Sequence, residues 1–349
     1  MRLGPLARTD DTHGVKCDVM QGQKYLRHTL RGLVRIDVRT TTIGGKPMSV
    51  AVLEQAAIGR PINRLGASIF PVYLPGKGLP FHFVSGAASG IVVGEKPDAE
   101  VPTLQVTNPN GHAVLIPEGQ VLDGGHQTRT VNVSILVPAG ATIDIPVSCV
   151  EAGRWGGGNS FTNSDRFANR RVRRAKMEGV RENLRYGDNK RSDQGAVWNA
   201  VDFELNRKGI HSPSANFRDI EDFAQRDQAS ARAIEDLVRR GPLAGQQGVV
   251  VAHGQRIVNA ELFATHEALC ANWEALMRGI VLDAPGDQKL RTSATAALKF
   301  LSRLSKAEII SKPGVGLGTE EHVRSTRLVG HSLSFEGALV HASAFALAA

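Results

Sequence analysis

The sequence predicts an α+β fold with an antiparallel β-rich core, a helical insertion, and C-terminal strands that rejoin the sheet. Short runs rich in β-branched residues occupy the first half of the chain after residue 48. An arginine-rich helical pattern follows, and strand-like runs return near the C-terminus. Strands grouped before and after a block of helices favour an α+β fold over alternating βαβ units.

The composition is that of an ordinary globular protein. Of 349 residues, 42% are hydrophobic and 22% are charged, which excludes a disordered or fibrous chain. No window approaches the roughly 18 apolar residues of a spanning helix, and the start lacks the apolar run of a secretory signal. We therefore expect a cytoplasmic protein that does not bind membranes. Cys17, Cys149 and Cys270 lie far apart, so no disulfide framework is expected.

The chain divides into an extension and one large domain. Residues 1–47 show no sustained periodicity and are predicted to be a loosely ordered N-terminal extension. Residues 48–349 are predicted to form a single domain. Its three parts are a β-rich half at 48–155, a helical, Arg-rich segment at 156–245, and mixed hairpins and helices at 246–349.

Strands in the β-rich half are predicted from short runs of β-forming residues bounded by Gly, Pro and Asn. They cover residues 68–75, 81–86, 90–95, 103–108, 112–117, 129–137 and 142–150.

Helices in the middle of the chain are predicted where an amphipathic pattern ends in basic residues followed by Gly. They cover residues 165–187, 193–209 and 217–241. A hairpin over 248–263, two helices over 267–282 and 288–305, and a closing hairpin over 328–345 complete the pattern.

The positive charge is concentrated in the first predicted helix. The net charge is +8, and residues 165–191 carry ten Lys/Arg against four Asp/Glu. At about 100° per residue, five arginines fall within one arc of the helix. They are Arg170, Arg171, Arg174, Arg181 and Arg185. The stripe is either a solvated, partly self-paired face or a face for phosphates. Because aromatic residues make up only 5% of the chain, nucleic acid is the less favoured partner.

A second group of charges lies in the β-rich half. An Asp123-Gly124 type I′ turn would set Glu118 opposite Arg129, and the next loop would set Arg129 opposite Glu151. With period-two alternation, the three side chains share the apolar face of the sheet. Arg129 should therefore lie between two carboxylates, at least one of them within about 4 Å, since buried charges need partners. The alternative turn, at Gly124-Gly125, sets Glu118 against a valine instead.

This charge group has two interpretations. It is either a structural ion pair at the end of the sheet or a ligand site. Arg154, Trp155 and a glycine-rich run directly follow Glu151, and together they offer an anion clamp and an aromatic platform. His126 could join Asp123 or Glu118 as a metal ligand, but loop histidines are mostly solvated. We therefore assign no metal site, and the sequence identifies no cofactor.

Several motifs in matching order resemble one bacterial family from about Met48 to Phe345. These are "IPEGQVLDGGHQTRTVNVSILVPA", "IPVSCVEAGRW", "RSDQGAVWNAV", "HSPSA" and "GVVVAHGQRIVNAELF". They resemble the ADP-ribosylglycohydrolase-and-rhodanese-phosphatase-associated domain family, whose pattern contains Glu-Gly-Glu, Lys-Gln-Asn-Arg and Glu-x-Gly-Arg-Trp. Gln120, His126 and Thr128 depart from that pattern.

The resemblance implies a link to ADP-ribose and NAD-derived metabolism, and protein partners in ADP-ribose metabolism. The expected ligand is an ADP-ribose-like nucleotide, with hydrolysis or transfer as a further expectation. Arg129 and Arg154 would hold the diphosphate, and Trp155 would stack on a base or ribose. Glu118 or Glu151 would bind ribose hydroxyls or act as general acid/base.

The remaining motif residue, Gln127, is also a candidate ligand contact. The alternative function is a non-catalytic interaction module that binds nucleic acid or a partner protein through the basic helix. In that case the charge group around Arg129 is structural.

Overall fold

The computed structural model describes residues 34–35, 52–76, 79–286 and 288–347. The extension predicted over residues 1–47 lies outside the described residues, apart from the two-residue strand β1. The strands before the helical block are β1 Val34–Arg35, β2 Ala57–Ile58, β3 Ile62–Arg64, β4 Ala67–Tyr73, β5 Phe83–Ser85, β6 Val92–Gly94, β7 Thr103–Thr107, β8 Ala113–Ile116, β9 Gln120–Gly124, β10 Arg129–Val131, β11 Ile135–Val137, β12 Thr142–Cys149 and β13 Ser160–Phe167.

The helical block and the C-terminal part follow. The helices are α1 Arg170–Tyr186, α2 Gln194–Lys208, α3 Phe217–Arg226, α4 Gln228–Arg240, α5 His266–Leu282 and α6 Ala294–Leu304. The later strands are β14 Gly248–His253, β15 Arg256–Phe263, β16 Glu308–Pro313, β17 Thr319–Arg324, β18 Leu328–Phe335 and β19 Ala338–Ala346.

A large antiparallel sheet joins the two ends of the described chain. Its strand order is β1-β2-β4-β14-β15-β19-β18-β17-β16, with β3 also paired to β4. The predicted return of the C-terminal strands to the first sheet is therefore confirmed, as is the α+β class. Because side chains alternate across a strand, Val249 and Val251 of β14 face one core and Val250 and Ala252 face another. Helices α4 and α5 cover the first face, and α6 covers the second.

Six other strands close into a barrel in the order β10-β12-β7-β6-β13-β9. All six pairings are antiparallel. A three-stranded sheet, β11-β8-β5, shares the apolar core of the barrel. The core residues are valines, leucines and isoleucines at alternating positions, such as Val93, Leu104, Val106, Leu122 and Val131.

The helices begin where polar caps predict. Asn169, Asp193 and Thr265 each accept a backbone N–H of the first turn of α1, α2 and α5, a typical N-cap arrangement. The single helix predicted over 217–241 is two helices. The chain turns at Asp227, which ends α3 and caps α4 by accepting the N–H of Ser230.

The short strands β2 and β3 and the strands β13, β16 and β17 lie outside the predicted strand ranges. The helix predicted from Asp165 begins only at Arg170, because residues Ser160–Phe167 form β13. None of the described helices combines the length with the apolar character that crossing a membrane requires.

Candidate ligand site

The register around Arg129 differs from the predicted one. Arg129 lies opposite Leu122 on β9 and opposite Cys149 on β12, rather than opposite Glu118 and Glu151. The predicted two-residue turn does not form, because β9 continues to Gly124 by pairing with β13. Gly125 then donates its N–H to the carbonyl of Ser160 at 3.0 Å, and a wider connection leads back to β10.

Glu118 lies in a separate buried network. Its carboxylate is 2.7 Å from Nη2 of Arg173, pairs with Lys176, and accepts a hydrogen bond from Ser343 at 2.8 Å. Arg173 also lies 2.8 Å from Glu261. Burial raises the pKa of Glu118, but Arg173 and Lys176 outweigh burial and hold the pKa well below its usual range. In this network the arginine that lies between two carboxylates is Arg173 rather than Arg129.

Arg129 points into the end of the barrel, on the same face as the core residue Val131. Its side chain is fully buried, with 0% exposure. Nε donates to the carbonyl of Val101 at 3.1 Å, but Nη1 and Nη2 have no hydrogen-bond partner among the described residues. Burial lowers the pKa of Arg129, and nearby Cys149 and Glu95 oppose this. The prediction that a carboxylate lies within about 4 Å of Arg129 is therefore wrong for the described part of the chain.

Glu151 is held by several donors. Arg154 donates to both carboxylate oxygens, at 2.9 and 2.7 Å. Thr128 donates its N–H and its hydroxyl at 3.0 Å each, and Ser214 donates at 3.1 Å. Burial raises the pKa of the Glu151 carboxyl, but the hydrogen bonds from Arg154 and Thr128 outweigh it and lower the pKa to about 2. Glu151 is therefore ionised at neutral pH, and its oxygens are occupied.

Arg154 and Gln127 organise the loops around Glu151. Besides its bidentate pair, Arg154 donates to the carbonyls of Gly125 and Gly156, at 2.9 Å each. Gln127 donates to the carbonyl of Glu151 at 3.0 Å, while its buried Oε1 has no partner among the described residues. These two side chains thus tie the β9–β10 connection to the segment that follows β12.

Trp155 lies at the surface of the same group. Its side chain is 55% exposed, and its ring centroid lies 5.1 Å from that of His126. The guanidinium carbon of Arg129 is 5.9 Å from the indole centroid. Next in the chain, Gly156 and Gly157 have positive φ angles of 149° and 138°. The structure therefore brings Arg129, Glu151, Arg154, Trp155 and Gln127 together and leaves Glu118 elsewhere.

Glu95 is the site residue that sequence analysis missed. Glu95 directly follows β6, and Glu151 closely follows β12. This shared position at the end of a strand is the sequence feature that could have identified Glu95. Its Oε1 accepts the N–H of His126 at 2.8 Å, and its buried Oε2 has no hydrogen-bond partner among the described residues. Glu95 is also one of the carboxylates that raise the pKa of Arg129. We name Glu95, His126, Gln127, Arg129 and Trp155 the barrel-end site.

A second group of charged side chains includes Asp123 of β9. Arg166 of β13 is 3.0 Å from Asp123 and 3.4 Å from Glu221 of α3. Burial raises the pKa of Glu221 to about 8, although Arg166 acts in the opposite direction. Glu221 therefore holds a proton at neutral pH.

One group among the described residues could ligate a metal ion, and it lies outside the barrel-end site. The ligand atoms of Glu320, His322 and His331 lie within 4.8 Å of one another. Lys190 lies 2.8 Å from Glu320, the Nε2 of His322 is 3.0 Å from Glu320, and His331 Nε2 accepts the N–H of Ser134 at 3.0 Å. An uncharged His331 that accepts at Nε2 carries its proton on Nδ1. We therefore interpret Glu320, His322 and His331 as structural side chains rather than as metal ligands.

The predicted basic stripe on α1 is not continuous. Arg181 is only 2% exposed and lies 3.1 Å from Glu308. Arg173 and Lys176 of the same helix are buried against Glu118. Only the first turns of α1 and its C-terminal Arg185 present exposed or half-buried arginines.

Comparisons with curated proteins and with solved structures give no match. A sequence model of one family matches residues 55–345. That range contains the whole barrel and nearly all of the large sheet, and it confirms the resemblance carried by the motifs. The chain therefore belongs to the ARPP-1 family, described as the ARG and Rhodanese-Phosphatase-superfamily-associated Protein domain.

Proposed function

We propose that this protein binds an ADP-ribose-like nucleotide at the barrel-end site. One observation carries the proposal: Arg129 is fully buried, yet Nη1 and Nη2 have no partner among the described residues. A buried charged donor without an acceptor is costly, by roughly 1–3 kcal/mol or more. A phosphate that accepts from both nitrogens removes this cost, and the planar guanidinium fits two phosphate oxygens.

The neighbouring side chains suit the rest of such a ligand. The exposed indole of Trp155, 5.9 Å from the Arg129 guanidinium carbon, offers a face for a base. The unpartnered oxygens of Glu95 and Gln127 are acceptors for ribose hydroxyls. The family name, which refers to ARG, supports an ADP-ribose context and protein partners in that metabolism.

The carboxylates have different roles in this proposal. Glu151 is saturated with donors and positions Arg154 and Thr128. Glu118 forms buried ion pairs with Arg173 and Lys176 and stabilises the fold. Glu95, with one unpartnered oxygen, is the group that can act as a general base. In hydrolysis Glu95 accepts a proton from the attacking water, and in transfer from the acceptor hydroxyl.

Calorimetric titration with ADP-ribose and with NAD tests the binding. We expect a dissociation constant of about micromolar order for the native protein. Arg129→Lys keeps the charge but loses the planar fork, and binding should weaken at least about tenfold. Arg185→Lys, an exposed position on α1, is the matched control and should bind normally. Absence of binding by the native protein, or an equal loss in the control, overturns the proposal.

The alternative function, an interaction module that uses the whole basic helix, has less support. It needs a continuous exposed stripe, and Arg181 is buried. The arginines at the start of α1 belong to a groove with other cations, which points to a different ligand class.

A further inference from the structure

A groove of about 700 Å³ lies where the start of α1, the β14–β15 turn and α6 meet. Seven cationic side chains line it: three from α1, one from β15, two from α6 and one just before β18. No Asp or Glu is among the described lining residues. The volume is typical of a site for a small molecule.

Six of these cations have no salt-bridge partner among the described residues. They are Arg170, Arg174, Arg256, Lys299, Arg303 and Arg327. The seventh, Arg171, lies 2.9 Å from Glu204. Burial lowers the pKa of Arg174, and the neighbouring cations Arg170 and Arg171 lower it further, against the attraction of Glu178. The groove therefore concentrates seven like charges, six of which have no salt-bridge partner among the described residues.

The floor of the groove is apolar. Val258, Phe300 and Leu328 line it and are buried. Cationic walls over an apolar floor suit a ligand that carries several phosphate groups on a less polar body. Phe300 is the only Phe, Tyr or Trp among the described lining residues, and it is 4% exposed. A stacking platform for successive bases is thus missing from the described lining, which disfavours a single-stranded nucleic acid.

We propose that this groove binds a small molecule bearing several phosphate groups. The site is separate from the barrel-end site, because the two share no lining residue. The repulsion among Arg170, Arg171 and Arg174 is relieved when phosphate oxygens lie between them. The groove thus gives the protein a second anion site, whether or not the first binds a nucleotide.

Inorganic tripolyphosphate is the probe for this proposal. Calorimetry compares the native full-length protein with Lys299→Gln/Arg303→Gln, which removes two exposed cations of α6. Loss of two charge-assisted contacts should weaken binding about tenfold or more. The matched control is Arg239→Gln/Arg240→Gln, which removes the same charge from the exposed end of α4. It should bind tripolyphosphate normally, and so should Arg129→Lys, which separates this site from the proposed nucleotide site.

Three outcomes overturn the proposal. The native protein fails to bind tripolyphosphate, or the control pair weakens binding as much as the groove pair, which would indicate a general effect of net charge. The third outcome is tight binding of an oligonucleotide that depends on Lys299 and Arg303 while tripolyphosphate does not bind. A second groove pair, Arg256→Gln/Arg327→Gln, replaces the first if circular dichroism shows that the α6 pair is unfolded.

Discussion

Arg129 and Trp155 face each other at the end of the barrel, with the guanidinium carbon of Arg129 5.9 Å from the indole centroid. Arg129 is fully buried, whereas Trp155 is 55% exposed. A cation near an aromatic face contributes about 0.5–1 kcal/mol at an exposed site, which is too little to offset the unpartnered nitrogens. The exposed ring therefore covers a cation whose hydrogen-bonding capacity is unused by the described chain.

Trp155→Ala should weaken nucleotide binding and leave the fold intact. An exposed ring contributes little to burial, but stacking on a base is worth about 1–3 kcal/mol. Calorimetry with ADP-ribose should show a loss of roughly tenfold or more, with a nearly unchanged melting temperature. Tyr186→Ala removes another exposed ring, 83% exposed at the far end of α1, and should not change binding. Equal affinities for all three proteins would exclude Trp155 from the site.

Arg129→Met should be tolerated or stabilising in the absence of ligand. The substitution removes a buried charge whose terminal nitrogens have no partner in the described chain, and no salt bridge of a described carboxylate is broken. Thermal unfolding measures this, at about 2–4 °C per kcal/mol for a chain of this size. A fall in melting temperature above about 8 °C would contradict the assignment of Arg129 to ligand binding. Nucleotide binding should be lost in the same variant.

Arg173→Met should be strongly destabilising, although the substitution is the same. Arg173 lies between Glu118 and Glu261, at 2.7 and 2.8 Å, and its removal leaves buried carboxylates with fewer partners. Breaking a buried pair by removing one member costs about 3–5 kcal/mol. Urea unfolding of the two methionine variants side by side checks the contrast. Similar stabilities would show that Glu118 does not depend on Arg173.

Glu221 should make stability fall as the pH rises. Burial raises its pKa in the folded protein to about 8, from an ordinary value of 4.5. The folded state therefore holds the proton more tightly, so this stability is fully present below about pH 4.5 and is lost as the pH rises to 8. The full change is of order 3–5 kcal/mol. Glu221→Gln should remove this pH dependence, so the unfolding free energy should become flatter, most clearly between about pH 6 and 8. An unchanged slope would contradict the raised pKa of Glu221.

Asp283 provides an internal comparison for that experiment. Burial raises the pKa of Asp283 to about 6. Its contribution to stability therefore also falls as the pH rises, but the fall is complete at a lower pH than for Glu221. Glu221→Gln should remove only the Glu221 part of the slope and leave the Asp283 part, which lies below about pH 6, in place.

Glu95→Gln should separate turnover from binding. If the protein cleaves or transfers a bond of ADP-ribose or NAD, the amide keeps an acceptor for a hydroxyl but cannot act as a base. Product formation, followed by NMR, should fall by at least about a hundredfold, while the dissociation constant changes little. Full turnover in Glu95→Gln would remove Glu95 from the mechanism.

Local patterns predicted much of the fold. Short runs of β-forming residues bounded by turn residues predicted β4, β7 and β12 and both C-terminal hairpins, because these preferences act within a few residues of the chain. Period-two alternation predicted that Arg129 shares the inward face with Val131, and Arg129 is fully buried in the structure. The site residues that lie close in sequence, Gln127, Arg129, Glu151, Arg154 and Trp155, also meet in space, because β10 pairs with the end of β12.

The sequence by itself thus predicted the fold class, many of the strands and the inward face of Arg129, all of which depend on neighbours within a few residues. Only the tertiary structure decided which charges meet. Barrel closure through β13 shifted the register by pairing Leu122 with Asn163, and Glu118 found its partners far along the chain, in Arg173 and Ser343. Such contacts depend on how separate elements pack, and a buried carboxylate pairs with whichever cation the packing brings within reach. The alternation of side chains along one strand does not specify such contacts.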